Sequence, residues 1–233
     1  MQFPTSPLER NRLLACLPAA EVDRLVPHMH PMLLHHGEVL CEIHHGSDWV
    51  YFPKAGAISI MLISQGGVEV EVGLVGAEGA IGAPEALSRS QSLGRFVVQV
   101  PGSGWRITSQ MFREQYQQLP AFRERIWLHQ HTLLAIAAQS ALCNRLHSLE
   151  SRLSRWLLTI HDRNGGEDLQ LTQEFIGSML GTRRVGVTEA IGVLRNAKLI
   201  ETHRGCVTIL DREGMEKTAC ECYQITRNWS DRM

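Results

Sequence analysis

The chain has 233 residues, a formal net charge of -1 and 20% charged residues, which suits one large or two small domains with cores of their own. So balanced a total excludes a globally basic nucleic-acid or membrane binder, and any DNA surface must come from local placement of charge. The N-terminus lacks the basic-then-apolar pattern of a signal peptide. The longest apolar run, residues 133–143, contains Gln139 and Ser140 and falls far short of the ~20 residues of a membrane span, so a cytoplasmic protein is expected.

Residues 7–30 read as short helices. Leu13, Leu14 and Leu17, then Val22, Leu25 and Val26, recur at helical spacing, punctuated by Pro18 and Pro27. The texture changes over residues 32–107, where the β-prone runs EVLCEI, WVYFP, AISIMLI, VEVEVGLV and RFVVQV have glycines between or beside them, among them Gly37, Gly46, Gly56, Gly82 and Gly102. Residues 68–72 alternate strictly, which predicts one buried and one wet face. Gly66-Gly67 suits a hairpin turn. Short strands at this spacing predict a small barrel, sandwich or roll.

After Thr108 the pattern is helical again, and Pro120 is placed to open a long helix. Residues 126–144 contain no Asp, Glu, Lys or Arg. Ile126, Leu133 and Ile136 lie along one seam, and Trp127, Leu134 and Ala141 along another. A helix apolar on two sides is expected to pack one on its own domain and the other on a second copy. Ile126, Leu133 and Ile136, with the small residues Ala137 and Ser140, are assigned to that dimer interface. A further stripe, Leu146, Leu149, Leu153, Trp156, Leu157 and Ile160, ends at Asn164-Gly165-Gly166.

Residues 171–210 carry the most information. Thr172 can cap a helix with Glu174 in its first turn, and Leu171 can staple onto Ile176. That helix stops at Leu180-Gly181, and Thr182 is expected to cap the next. The second helix has an inward face of Val187, Ala190, Ile191 and Leu194, and Gly177 lets the two helices cross closely. This is helix-turn-helix spacing. Arg183 and Arg184 open the second helix, where the macrodipole disfavours cations, so a phosphate or guanine partner is expected there. Val185, Thr188 and Glu189 lie on its outward side, and Thr172 is a further candidate contact. Two β runs around His203-Arg204-Gly205 predict a wing, with Arg204 set to meet phosphate.

Strand-rich domain, long helix and winged helix-turn-helix, in that order, resemble the Crp/Fnr family of transcription regulators over nearly the whole chain. The matching residues are Gly37, Leu40, Gly46, Val50-Tyr51-Phe52 and Gly56, and then Leu171-Thr172-Gln173-Glu174, Ile176-Gly177, Leu180-Gly181, Arg184, Val187 and Leu199-Ile200. The second set is much the more specific. The resemblance implies an α+β chain. Residues 1–118 would hold N-terminal helices and a β-roll sensor domain, jelly-roll-like and of the cyclic-nucleotide-binding type. Residues 119–145 would be the dimerisation helix, and 146–233 the winged helix-turn-helix. It also implies a homodimer that binds a palindromic operator in double-stranded DNA through a recognition helix at 182–196, with RNA polymerase as a further partner.

Arg184 matches the family arginine that contacts guanine. Val185 and Glu189 stand where many relatives carry Glu and Arg respectively, which leaves the operator sequence open. In the sensor half, Gly82, Ala83 and Arg95 mark the effector pocket. Gly82 matches the phosphate cassette, but Ala83 replaces its glutamate and Arg95 is offset by about one residue from the cassette arginine. A buried phosphate without a paired cation is costly, so cAMP or cGMP is not expected. The effector is left unknown and no cofactor is assigned.

The six cysteines are scattered, without a C-x2-C pair, and Cys16 and Cys41 alone cannot make a four-cysteine iron–sulfur site. Cys220 and Cys222, as C-x-C, read as ordinary reduced thiols beside a C-terminal helix over residues 211–229. Among the eleven histidines, the doublets at 35–36 and 44–45 point to opposite faces of a strand, and His129 and His131 read as interface or surface residues. No metal is assigned. G-x-S-x-G, H-E-x-x-H and P-loop patterns are absent, so no enzyme is expected. The competing reading is a metabolite-binding or enzymatic β-roll with a C-terminal protein-interaction domain.

Overall fold

A computed structural model describes Leu8, residues 10–165 and residues 168–232. The described residues form two compact units, one from those within 1–60, 74–134 and 230–232, the other from those within 61–73 and 135–229. Among them, no helix is long and apolar enough to cross a membrane.

The first unit is built on a sheet of β1 (His30–Leu34), β2 (Val39–Cys41), β3 (Trp49–Ile63), β4 (Glu69–Val75) and β5 (Arg95–Thr108). Its order is β1-β5-β3-β4, with β2 also on β5. β1 runs antiparallel to β5, from His30 opposite Arg106 to Leu34 opposite Gly102. Gly67, at φ +79°, turns the chain from β3 into β4, as the Gly-Gly pair predicts.

Two expectations need correction here. The runs WVYFP and AISIMLI are one strand, and RFVVQV continues through two glycines to Thr108. Those glycines do not separate strands; they let β3 and β5 touch. A Cβ on Gly102 would lie 2.2 Å from the Ala55 carbonyl oxygen, and one on Gly104 2.6 Å from that of Phe52. Gly102→Ala should therefore destabilise the protein by about 1–3 kcal/mol, read as a lower urea midpoint at unchanged slope. An unchanged midpoint would mean that the strands can part without loss. Residues 69–73 are all half-buried, and Val68 is exposed, so the alternation does not split into a dry and a wet face. The hairpin tip is part of the second unit, where Trp156 Nε1 donates to Glu71 Oε1 at 3.0 Å and covers the polar side.

Helices close the first unit. They are α1 (Arg12–Ala15), α2 (Ala19–Leu25), α3 (Ala83–Ser88), α4 (Ser109–Gln118) and the first part, up to Leu134, of the long α5 (Pro120–Leu146), which Pro120 opens as predicted. Leu13, Leu14, Leu25, Phe52, Phe112 and Phe122 share the core between helices and sheet. Asn11 caps α1 and donates from Nδ2 to the carbonyls of Pro53 and Gly79 at 2.8 and 2.9 Å, fixing that helix to the sheet side. Within the stretch read as strands, α3 is an addition. Gly82 at φ +91° starts it and Pro84 suits its first turn.

His129 is another correction. It is buried, not at the surface, while His131 is exposed. Its Nε2 lies 3.1 Å from the Ala80 amide, and a Cβ on Gly79 would sit 2.0 Å from its ring. Glycine at 79 is what admits the imidazole. Burial lowers the His129 pKa from 6.5, so the folded state keeps it neutral. As pH falls below about 6.5 the unfolded chain takes up a proton that the folded chain resists. Stability contributed by neutral His129 is therefore full above that pH and declines below it, until the folded form also protonates. Tm should drop on acidification, and His129→Gln should flatten the drop. An equal slope in the variant would assign the acid sensitivity elsewhere.

The second unit contains α6 (Leu149–Arg163), β6 (Leu169–Gln170), α7 (Gln173–Leu180), α8 (Arg184–Asn196), β7 (Ile200–His203), β8 (Cys206–Ile209), α9 (Arg212–Thr218) and α10 (Cys222–Asp231). Its small sheet has the order β6-β8-β7, and the two-residue β6 is too short to show as a pattern in the sequence. Ser148 caps α6, which buries Leu153, Trp156, Leu157 and Ile160, whereas Leu146 belongs to α5 and is exposed. Gly165 follows the helix at φ +71°; Gly166 lies outside the described residues. The C-terminal stretch read as one helix is two. Asp211 caps α9, and the chain breaks at Ala219, which brings Cys220 inward.

Candidate nucleic-acid interface

Local rules build the helix-turn-helix. Thr172 Oγ1 accepts from the Phe175 amide at 3.2 Å and caps α7, with Leu171 and Ile176 both buried. Gly181 ends α7 at φ +60°, a left-handed conformation that glycine adopts freely. A Cβ on Gly177 would stand 3.0 Å from the Thr182 carbonyl oxygen and 3.7 Å from Val187, so a larger residue would press on the turn. Val187, Ala190, Ile191 and Leu194 are the buried face of α8, as their spacing predicts. Thr182 does not cap α8. Its amide donates to Gly177 at 2.9 Å within the turn, and α8 starts two residues later, at Arg184, with Arg183 in the cap position. The helix in the recognition position is therefore 184–196.

The start of α8 has no side-chain cap and no acidic residue in its first turn. Arg183, Arg184, Val185, Thr188 and Glu189 are all exposed, Val185 at 68%. Neither arginine makes an ion pair among the described residues. Open amides at a helix N-terminus beside two cations make an anion-seeking surface. Thr188 Oγ1 lies 2.8 Å from Gln173 Oε1, tying α8 to the start of α7.

The wing continues this surface. Arg204 and Gly205 form the β7–β8 turn at φ +44° and +81°. The Leu171 amide donates to the Gly205 carbonyl at 2.7 Å, and Gly205 lies beside the exposed Thr172. Wing tip, Thr172, Gln173, Thr188 and the arginines thus form a linked series along the domain.

The remaining sequence-predicted residues fall as follows. Ala83 is fully buried at the start of α3, and the Arg95 guanidinium pairs with Glu42 at 2.8 Å. A cleft of about 390 Å³ in the first unit is lined by Asp48, Glu85, Arg89 and Arg113, with serines and Gln110, but not by Gly82, Ala83 or Arg95. On α5, Ile126 is buried in the core of the first unit, and Leu133, Ile136, Ala137 and Ser140 are half-buried. The exposed seam is the other one, with Trp127 at 66% and Leu134 at 70%. The structure also brings together Cys143, His147, Cys220 and Cys222, which the sequence reading left apart.

The second unit is a helix-turn-helix backed by a three-stranded wing, on a chain with a separate β-rich unit. Residues 151–218 match the family model of the Crp-like helix-turn-helix domain. The chain is similar in structure to a crp/fnr-family transcriptional regulator from Eubacterium rectale, with a TM-score of 0.71 and 17% identity over 90% of this chain and 98% of that one. It is also similar to the c-di-GMP responsive global regulator CLP of Xanthomonas campestris, with a TM-score of 0.69 and 14% identity over 82% of this chain and 99% of that one. For a CRP/FNR-family regulator from Thermus thermophilus the TM-score is 0.67 at 18% identity, over 82% of this chain and 98% of that one. No curated protein matches the chain in sequence. Over residues 151–218 the chain matches the Crp-like helix-turn-helix domain, and it shares its fold with solved Crp/Fnr-type regulators. That match favours a DNA-binding C-terminal part over a protein-interaction domain.

Proposed function

We propose that the protein is a homodimeric, sequence-specific transcription regulator that binds a two-fold-symmetric operator. Residues 1–118 would sense an effector, 119–145 pair two copies, and 146–233 read DNA. The observation that carries this is the uncapped start of α8 with Arg183 and Arg184 both exposed. In this reading Arg184, helped by Val185, Thr188 and Glu189, meets base edges in the major groove. Arg183, Thr172 and Arg204 meet phosphate. RNA polymerase remains a proposed partner, since operator occupancy by itself changes transcription only through the polymerase.

The sensor half supports an effector other than cAMP or cGMP. Ala83 offers no carboxylate for a ribose, and Arg95 is already paired with Glu42. The Xanthomonas regulator is named for its response to c-di-GMP, so a cyclic dinucleotide belongs among the compounds screened here.

The test is selection of binding sites from fragmented genomic DNA at fixed moderate salt, with wild-type protein and Arg184→Ala in parallel. A two-fold-symmetric motif recovered by the wild type and lost by the variant supports the reading. No motif with or without candidate effectors, or a motif indifferent to Arg184, would overturn it.

A further inference from the structure

Four side chains of the second unit converge at a point remote in sequence from the recognition helix. Cys143 lies in the last turn of α5 and His147 just past its end; Cys220 lies in the turn after α9 and Cys222 opens α10. Their donor atoms all lie within 4.8 Å of one another. Cys143 and Cys222 are fully buried and Cys220 nearly so. The sulfurs of Cys143 and Cys220 are 3.5 Å apart, and Cys222 Sγ is 3.6 Å from His147 Nδ1. A tetrahedral ion with Zn–S of about 2.3 Å and Zn–N of about 2.0–2.1 Å spaces its donors roughly 3.4–3.8 Å apart.

We propose that Cys143, His147, Cys220 and Cys222 form a mononuclear Cys3His site for a zinc-class divalent ion, which ties the end of α5 to the α9–α10 turn. Closed four-ligand sets of this kind hold structural ions. The surroundings fit. Glu221 lies 3.1 Å from His147 Nε2, so that nitrogen can donate to the carboxylate while Nδ1 faces the sulfurs. Gln139 Nε2 donates to Cys222 Sγ at 3.1 Å, a bond suited to a thiolate. The Arg155 charge lies near Cys143. Three thiolates around a divalent ion leave one negative charge, which Arg155 can balance. Multi-iron clusters spread their ligands around several metal atoms, whereas donors confined this tightly surround one ion.

The site is independent of the DNA-reading proposal and is tested without DNA. Reduced, metal-stripped full-length protein is titrated with Co²⁺. The expected result is one Co²⁺ per chain, with thiolate-to-cobalt charge transfer and the intense visible bands of tetrahedral, sulfur-rich cobalt, bleached by Zn²⁺. Cys222→Ser should shift and weaken those bands, and Cys206→Ser should not. Folded wild-type protein, judged by circular dichroism, that shows only the weak bands of octahedral cobalt would overturn the proposal. So would tetrahedral bands that survive in the Cys143→Ser, Cys220→Ser double variant. The first of these readouts uses the wild type alone, so a variant that fails to fold does not decide the matter.

Discussion

Leu134→Glu is expected to turn the protein into a monomer and to weaken operator binding by about 10²–10⁴-fold, the range gained when two linked modules bind together. Trp127, Leu134 and Ala141 recur every seven residues on α5, with His131 and Ala138 between them. Such spacing suits the a/d seam of a two-helix pairing, the one the proposed dimer would use. Trp127 and Leu134 are exposed at 66% and 70%, and burying such side chains in a dimer would stabilise it by about 1.5–3 kcal/mol each. A glutamate there would face its own copy across the two-fold axis and be desolvated beside a like charge. Light scattering reads the mass, and mobility shift reads the affinity. Leu33→Glu is the control, because Leu33 is an exposed apolar residue on β1. A Leu134→Glu protein that remains a dimer would move the interface to the seam of Leu133 and Ile136.

With no charge over residues 126–144, both sides of α5 are apolar, and periodicity cannot say which side meets the domain's own core. Ile126 goes inward because α5 brings it against the same core as Phe52, Phe112 and Phe122. The helix-turn-helix was legible because its devices are local. Thr172, Gly177 and Gly181 act within a few residues, and only the cap of α8 was misplaced. The glycines of β3 and β5 were misread because their task, close passage of two long strands, involves partners far along the chain. For the same reason the cysteines looked ordinary. Cys143 and His147 sit four apart on a helical path, and Cys220 and Cys222 form a C-x-C, but α6 to α9 separate the two halves.

Arg184→Ala and Arg204→Ala should weaken DNA binding in different ways, and the difference tests how the surface divides its work. Arg184 is the first residue of α8, where the helix dipole disfavours a cation and where alanine is the better helix former. Its removal should therefore leave the fold as stable as before, so any loss of binding is a loss at the interface. A bidentate arginine–guanine contact discriminates by about 1–3 kcal/mol. The variant should lose that amount on the cognate operator, relax one base preference per half-site, and lose less on shuffled DNA. Arg204 stands on a wing turn held by the Leu171–Gly205 hydrogen bond, and in the proposed reading it meets phosphate. Its removal should weaken cognate and shuffled DNA alike and flatten the logarithmic salt dependence by about 0.9 for each phosphate contact released. Fluorescence anisotropy over a salt series on both DNAs separates the two patterns. Equal losses on every sequence from both variants would mean that α8 only positions the domain, and that specificity comes from the shape of the DNA.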